Sequence, residues 1–169
     1  MKIIYYNDNT IYFAKIKPDA KIPSKRFEDG AMDVYACFDE DNILLKPNEI
    51  KLIPTGICSA FSSKYRIVFQ ERGSTGMIGL KVNAGLIDSG YRGEWFVCLN
   101  NTSSKNIYID KTCNEIKTFE DCVYYPYSKA ICQCKVQEVP IVNIKEINKE
   151  MIMEYASKRG EGSLGSSNK

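Results

Sequence analysis

Apolar residues recur along the chain in short runs, many alternating with polar positions and bounded by turn-forming residues. The runs at 2–6, 11–16, 49–53, 65–70, 94–99, 106–110 and 131–136 have the length and β-branched or aromatic content of strands. Between them stand the turn signals Asp29-Gly30, Lys46-Pro47-Asn48, Pro54-Thr55-Gly56, Ser89-Gly90 and Asn100-Asn101. Short strands at such spacing predict an all-β barrel or sandwich. One stretch, 144–157, places Ile144, Ile147, Met151, Ile152 and Tyr155 at helical spacing and predicts a short helix or irregular linker. From residue 158 the chain becomes Gly/Ser-rich and nearly free of apolar side chains. The expected organisation is a β domain over 1–157 and a flexible C-terminal tail over 158–169.

Composition narrows the chemistry. With 169 residues the chain can bury a core without disulfide or metal staples. Its seven cysteines form an odd set with no Cys-x-x-Cys pair, and the N-terminus carries no signal-peptide pattern, so free thiols and a cytoplasmic location are expected. No apolar run is long enough for a membrane helix, and the net charge of +2 comes from scattered rather than clustered charges. Neither a membrane nor a nucleic acid is an expected partner. Histidine is absent altogether, which removes the commonest general base and zinc ligand. Acid/base work must fall to a carboxylate, Lys, Tyr or Cys.

The most informative segment is 83–94, NAGLIDSGYRGE, where Asp88 follows apolar Leu86 and Ile87 and precedes a Gly-containing turn. Alone, it reads equally as a hairpin whose aspartate caps its own turn. It resembles, however, the third motif of the trimeric dUTPase family, G-(V/L)-I-D-x-x-Y-R-G. Four further segments follow the order of that family. Gly30-Ala31-Met32-Asp33-Val34 resembles the first motif, A-G-x-D-L, and Arg72-Gly73-Ser74-Thr75 the second, R-S-(S/G). Ala130-Ile131-Cys132-Gln133 resembles the fourth, R-I-A-Q, and the glycine-rich stretch 159–167 the fifth, R-G-x-G-G-F-G-S-T. Each segment has an ordinary local reading; five in order cover the chain.

The resemblance implies a jelly-roll-like β-barrel or sandwich of the dUTPase type, and a homotrimer that hydrolyses dUTP to dUMP and pyrophosphate. Cleaving a phosphoanhydride with water needs a base, a cation to offset the triphosphate charge, and donors for the charge that develops. By resemblance, Asp88 holds the water that attacks the α-phosphorus, and Asp33 orients the phosphate or metal environment. Tyr91 packs on the deoxyribose, where a 2′-hydroxyl would not fit, while Gly85, Leu86, Ile87 and Asn83 read the uracil. Arg72, Gly73, Ser74, Gln133, Arg159, Gly162, Gly165 and Ser166 are expected on the phosphates, and Leu164 stands where the family covers the uracil with an aromatic ring. Mg²⁺ is the expected cofactor, carried on triphosphate oxygens and waters, so no protein metal ligand is named. The family assembles each site across subunits: the third motif from one chain, the first, second and fourth from another, the fifth from a third.

Several positions depart from the family pattern. Gly73 replaces a serine, Lys129-Ala130 stands where an arginine is expected, Ser163-Leu164 replaces Gly-Phe, and the region 108–128 is longer than usual. These departures leave open a dUTPase-fold binding or regulatory module acting on a protein partner, as in phage or viral relatives. The related dCTP deaminase would need a catalytic glutamate at the position of Cys98. A zinc module built on Cys113, Cys122, Cys132 and Cys134 would lack the usual ligand spacing.

Overall fold

The computed structural model describes residues 9–162. Among these, thirteen strands and two five-residue helices are present. The expected run at 2–6 lies outside the described residues. The runs at 11–16, 49–53, 65–70, 94–99, 106–110 and 131–136 contain strands β1 (Tyr12–Lys15), β4 (Ile50–Pro54), β6 (Tyr65–Gln70), β9 (Phe96–Asn101), β10 (Asn106–Asp110) and β13 (Cys132–Glu138) within a few residues. Shorter strands complete the set: β2 (Met32–Val34), β3 (Asn42–Leu45), β5 (Ile57–Ala60), β7 (Leu80–Asn83), β8 (Leu86–Ile87), β11 (Lys117–Thr118) and β12 (Cys122–Pro126). The helices are α1 (Gly73–Met77) and α2 (Lys149–Met153), the latter occupying only the middle of the expected 144–157.

The strands form four hydrogen-bonded groups, ordered β1-β5, β11-β12-β10-β3, β2-β13-β6-β8 and β4-β9-β7. All four groups contribute to one core. Val34, Leu45, Ile53, Ile57, Ile67, Leu80, Ile87, Leu99, Ile107 and Cys134 are buried in the same cluster. Trp95 lies at its centre, fully buried, edge-on to Phe13 at 5.2 Å and to Phe69 at 5.5 Å between ring centroids. The result is a jelly-roll-like β sandwich in which inward residues alternate with outward ones. Along β13, for example, Cys132 and Cys134 are buried, so Gln133 between them must face outward.

One expected turn is displaced. Asn100-Asn101 ends β9 rather than turning, because the Asn101 amide donates to Leu45 O (2.9 Å) and Lys105 O (2.7 Å) and its oxygen accepts from Ser103 N (3.0 Å). The chain reverses only beyond it. The long region 108–128 is also no loose insertion. Its β12 runs parallel to β10, stacking Tyr124 on Tyr108 at 4.9 Å, and β11 pairs back onto β12.

Candidate active site

Three neighbouring strand ends build a polar cleft. Asp33 on β2 and Gln133 on β13 are direct antiparallel partners, and Gln133 is in turn opposite Gln70 on β6. The chain leaving β6 enters α1 at once, held by Thr75, whose buried Oγ1 accepts from Arg72 N at 3.0 Å. Arg72 is thereby set beside Asp33. Its Nε lies 2.9 Å from Asp33 Oδ1, and a terminal nitrogen donates to Asp33 Oδ2 at 3.3 Å, a fork on a carboxylate. The other terminal nitrogen donates to Ala130 O at 3.4 Å. Gln133 Nε2 donates to Glu71 O at 2.9 Å. Ser24, Lys25, Arg26, Asp29, Gly30, Ala31, Gly73 and Ser74 complete a cleft of about 870 Å³.

The sequence motifs single out Asp33, Arg72, Gly73, Ser74 and Gln133 in this cleft, but not Ser24, Lys25, Arg26 or Asp29. The available signal was the basic pair Lys25-Arg26 just before the 30–34 motif. The Arg26 guanidinium bonds Asp29 and holds that carboxyl below its usual range. Gly73 has open space where a side chain would begin, so a serine would fit there.

The 83–94 segment lies elsewhere. It does not close on itself as a simple hairpin: β7 pairs with β9, while β8 crosses to pair with β6 through Ile67–Ile87 and Val68–Leu86. Gly85 permits this crossing. Its carbonyl accepts from Phe69 N at 2.6 Å, and a Cβ there would meet Phe69 O at 3.0 Å. Asp88 is exposed at the following turn, with Tyr91 N donating to Asp88 O at 3.1 Å. Tyr91 folds over Gly93, where a Cβ would approach its hydroxyl to 2.5 Å, and donates to Glu94 O at 2.8 Å. Leu86, Ile87, Asp88, Tyr91, Glu94 and Phe96 line a second pocket of about 210 Å³. Buried Trp95 fixes the loop, donating from Nε1 to Ser59 Oγ at 3.1 Å, and Glu94 Oε1 accepts from Gly56 N at 2.7 Å.

The dUTPase family model matches residues 19–113, more than half of the chain. A deoxyuridine 5′-triphosphate nucleotidohydrolase of Wolbachia pipientis is 33% identical over 143 residues, covering 83% of this chain and 81% of its own length. The chain belongs to the dUTPase family. A relative of the same name from Clostridium tetani is 27% identical over 95% of this chain and 97% of its own length. The dUTPase of Staphylococcus bacteriophage 80alpha, solved with dUpNHpp, shares the fold with a TM-score of 0.74 and 21% identity, covering 94% of this chain and 98% of its own. As a dUTPase, this chain is a nucleotide hydrolase.

Within one dUTPase chain the two pockets share no residue. Their separation follows from register: Asp88 follows the Ile67–Ile87 pair toward the Arg66 end of β6, whereas Arg72 lies beyond Gln70 at the opposite end. The three strand steps from Ile67 to Gln70 alone span about 10 Å. Asn83, on β7 opposite Cys98, lines neither pocket.

Of the tail residues, Arg159 and Gly162 are described but line neither pocket; Arg159 Nε donates to Gly162 O at 2.7 Å in a local turn. Leu164, Gly165 and Ser166 lie outside the described residues. No three or more His, Cys, Asp or Glu side chains gather as a metal-holding group among the described residues, so Cys113, Cys122, Cys132 and Cys134 do not form a zinc site. Burial pushes the Cys134 thiol up to about 12, which keeps it protonated at neutral pH. No described helix is long and apolar enough to cross a membrane.

Proposed function

We propose that the dUTP diphosphatase activity of this chain runs at a composite site in a homotrimer, the Asp88 pocket of one subunit closing on the Arg72 cleft of another. The observation that carries this reading is the placement of Asp88 and Arg72 at opposite ends of the β6–β8 pairing, which a single chain cannot bring together. Outward residues of the β4-β9-β7 sheet support the assembly. Leu52 is 60% exposed and Ile50 59%, and the pairs Leu52–Cys98 and Pro54–Phe96 extend this apolar face. On the same face Asn100 Oδ1 is buried without a hydrogen-bond partner among the described residues, a group that a neighbouring subunit would satisfy. Beyond β13, Ile141 and Ile144 are almost fully exposed, which suits burial against another copy.

In this reading Tyr91 and the backbone of 85–87 hold the deoxyuridine in the smaller pocket. Asp88 accepts a proton from the attacking water and aims it at the α-phosphorus; pyrophosphate leaves into the cleft. There Arg72, Ser74 and Gln133 bind phosphate oxygens, and Asp33 fixes the Arg72 fork before substrate arrives. Arg159 and Gly162, with Leu164, Gly165 and Ser166, cover the nucleotide from the tail. The cleft suits a Mg²⁺ ion carried by the triphosphate: its carboxylates, Asp29 and Asp33, are paired with arginines rather than gathered as a cage. When bound, Mg²⁺ offsets phosphate charge during displacement.

The test is pyrophosphate release from dUTP, dTTP, dCTP and UTP, with Mg²⁺ and with EDTA. The wild type should turn over dUTP selectively in Mg²⁺, and Asp88→Asn should lose roughly 10²- to 10⁴-fold in rate while remaining folded. A folded Asp88→Asn protein with wild-type turnover overturns the mechanism.

A further inference from the structure

The phosphate cleft has a second arginine that the motifs do not single out. Arg26 and Lys25 lie on the turn ahead of β2, joined to it where Asp33 N donates to Ser24 O at 2.9 Å. Arg26 repeats the geometry of Arg72. Its Nε donates to Asp29 Oδ2 and a terminal nitrogen to Asp29 Oδ1, both at 3.0 Å, as Arg72 grips Asp33 through the same edge. A guanidinium has five N–H donors, so the outer edge of Arg26 keeps three for another acceptor. Lys25 Nζ is held over the turn by the carbonyls of Asp29 (2.7 Å), Phe27 (3.4 Å) and Arg26 (3.5 Å), so it contributes its charge to the same rim rather than a free donor.

Two observations argue against a purely local role for this arginine. The turn is already closed without the guanidinium, with Arg26 N donating to Asp29 Oδ2 at 3.1 Å and Asp29 N to Arg26 O at 3.2 Å. An ion pair whose arginine side chain is 88% exposed adds little stability. The cleft thus holds three cationic side chains, Lys25, Arg26 and Arg72, against two carboxylates, Asp29 and Asp33. That excess suits a polyanion. Arg72, with its side chain 28% exposed, lies deep, and Arg26 stands at the mouth.

We propose that Arg26, seconded by Lys25, binds the terminal phosphate of the substrate and makes the cleft select a triphosphate over shorter phosphate chains. Resting on the composite-site reading, this assigns the rim of the cleft to the phosphate remote from the nucleoside. Arg26 is a specificity-determining residue: it contacts the leaving pyrophosphate and not the attacking water.

The experiment compares full-length wild type, Arg26→Ala, Arg26→Lys, Arg72→Ala and the neighbouring surface variant Phe27→Ala. It reads KM and kcat for dUTP and inhibition by inorganic pyrophosphate and by dUMP. Arg26→Ala should raise KM for dUTP and weaken pyrophosphate inhibition roughly 10- to 100-fold, leaving kcat and dUMP inhibition near wild type. Arg26→Lys should recover part of the loss, and Phe27→Ala should match wild type. Pyrophosphate inhibition unchanged in Arg26→Ala but lost in Arg72→Ala overturns this inference alone. Equal weakening of dUMP and dUTP also overturns it, placing Arg26 on the inner phosphate. If Arg72→Ala binds pyrophosphate normally as well, the phosphate assignment of the whole cleft fails, and this inference with it.

Discussion

Tyr91 illustrates how a single side chain is aimed. The residue is 42% exposed, yet its hydroxyl is committed to Glu94 O and its ring crosses Gly93 at a distance no side chain at that position would allow. A ring held in this way presents a fixed wall to the sugar. Tyr91→Ala should narrow the preference for dUTP over UTP, and Gly93→Ala should do the same by displacing the ring. The ratio of kcat/KM for the two nucleotides measures it; a wild type that hydrolyses both equally removes Tyr91 from the sugar site. At this scale the sequence was informative wherever a motif tied residue type to order, as for Asp33, Arg72 and Gln133, which meet in one cleft. Arg26 and Asp29 were not legible, because a charged turn has the composition of any solvated loop.

At the scale of elements, alternation revealed β6, β10 and β13, which send alternate residues into the core, in β13 only at Cys132 and Cys134. It missed β7 and β8, which are short, run into the turn-rich 83–94 segment and depend on distant partners for their pairing. The crossing from β7 to β8 to β9 is what places Asp88, and Trp95 anchors it. Removing so large a buried ring typically costs about 3–5 kcal/mol, a large share of an ordinary domain's stability. Trp95→Ala should therefore lower the urea midpoint of unfolding sharply. Trp95→Phe keeps a ring near Phe13 and Phe69 but leaves Ser59 Oγ without its donor, so it should lose less. Equal midpoints for Trp95→Ala and wild type would show that the loop is held by something else.

For the whole molecule, a composite site means that subunits must meet before any site exists. Leu52 tests the face assigned to that meeting, since its side chain points away from the core and a lysine there should not disturb the single chain. Leu52→Lys should yield folded protein of lower mass by light scattering, with dUTP turnover lost in proportion. A fully trimeric, or an active monomeric, Leu52→Lys protein would move the interface elsewhere. Assembly was not readable from strand periodicity, because Ile50 and Leu52 on β4 look like any alternating pattern until the core shows which side is left uncovered.

The central claim, that Asp88 and Arg72 of different subunits form one site, is tested most directly by complementation. Asp88→Asn and Arg72→Ala chains, each strongly impaired alone, are co-expressed with different affinity tags and mixed trimers are isolated. A site works when its Asp88 comes from an Arg72→Ala chain and its Arg72 from an Asp88→Asn chain. Each mixed trimer has one such site out of three, so the isolated mixed trimers should show about a third of wild-type turnover on dUTP. Mixed trimers no more active than the two variants alone would contradict the account.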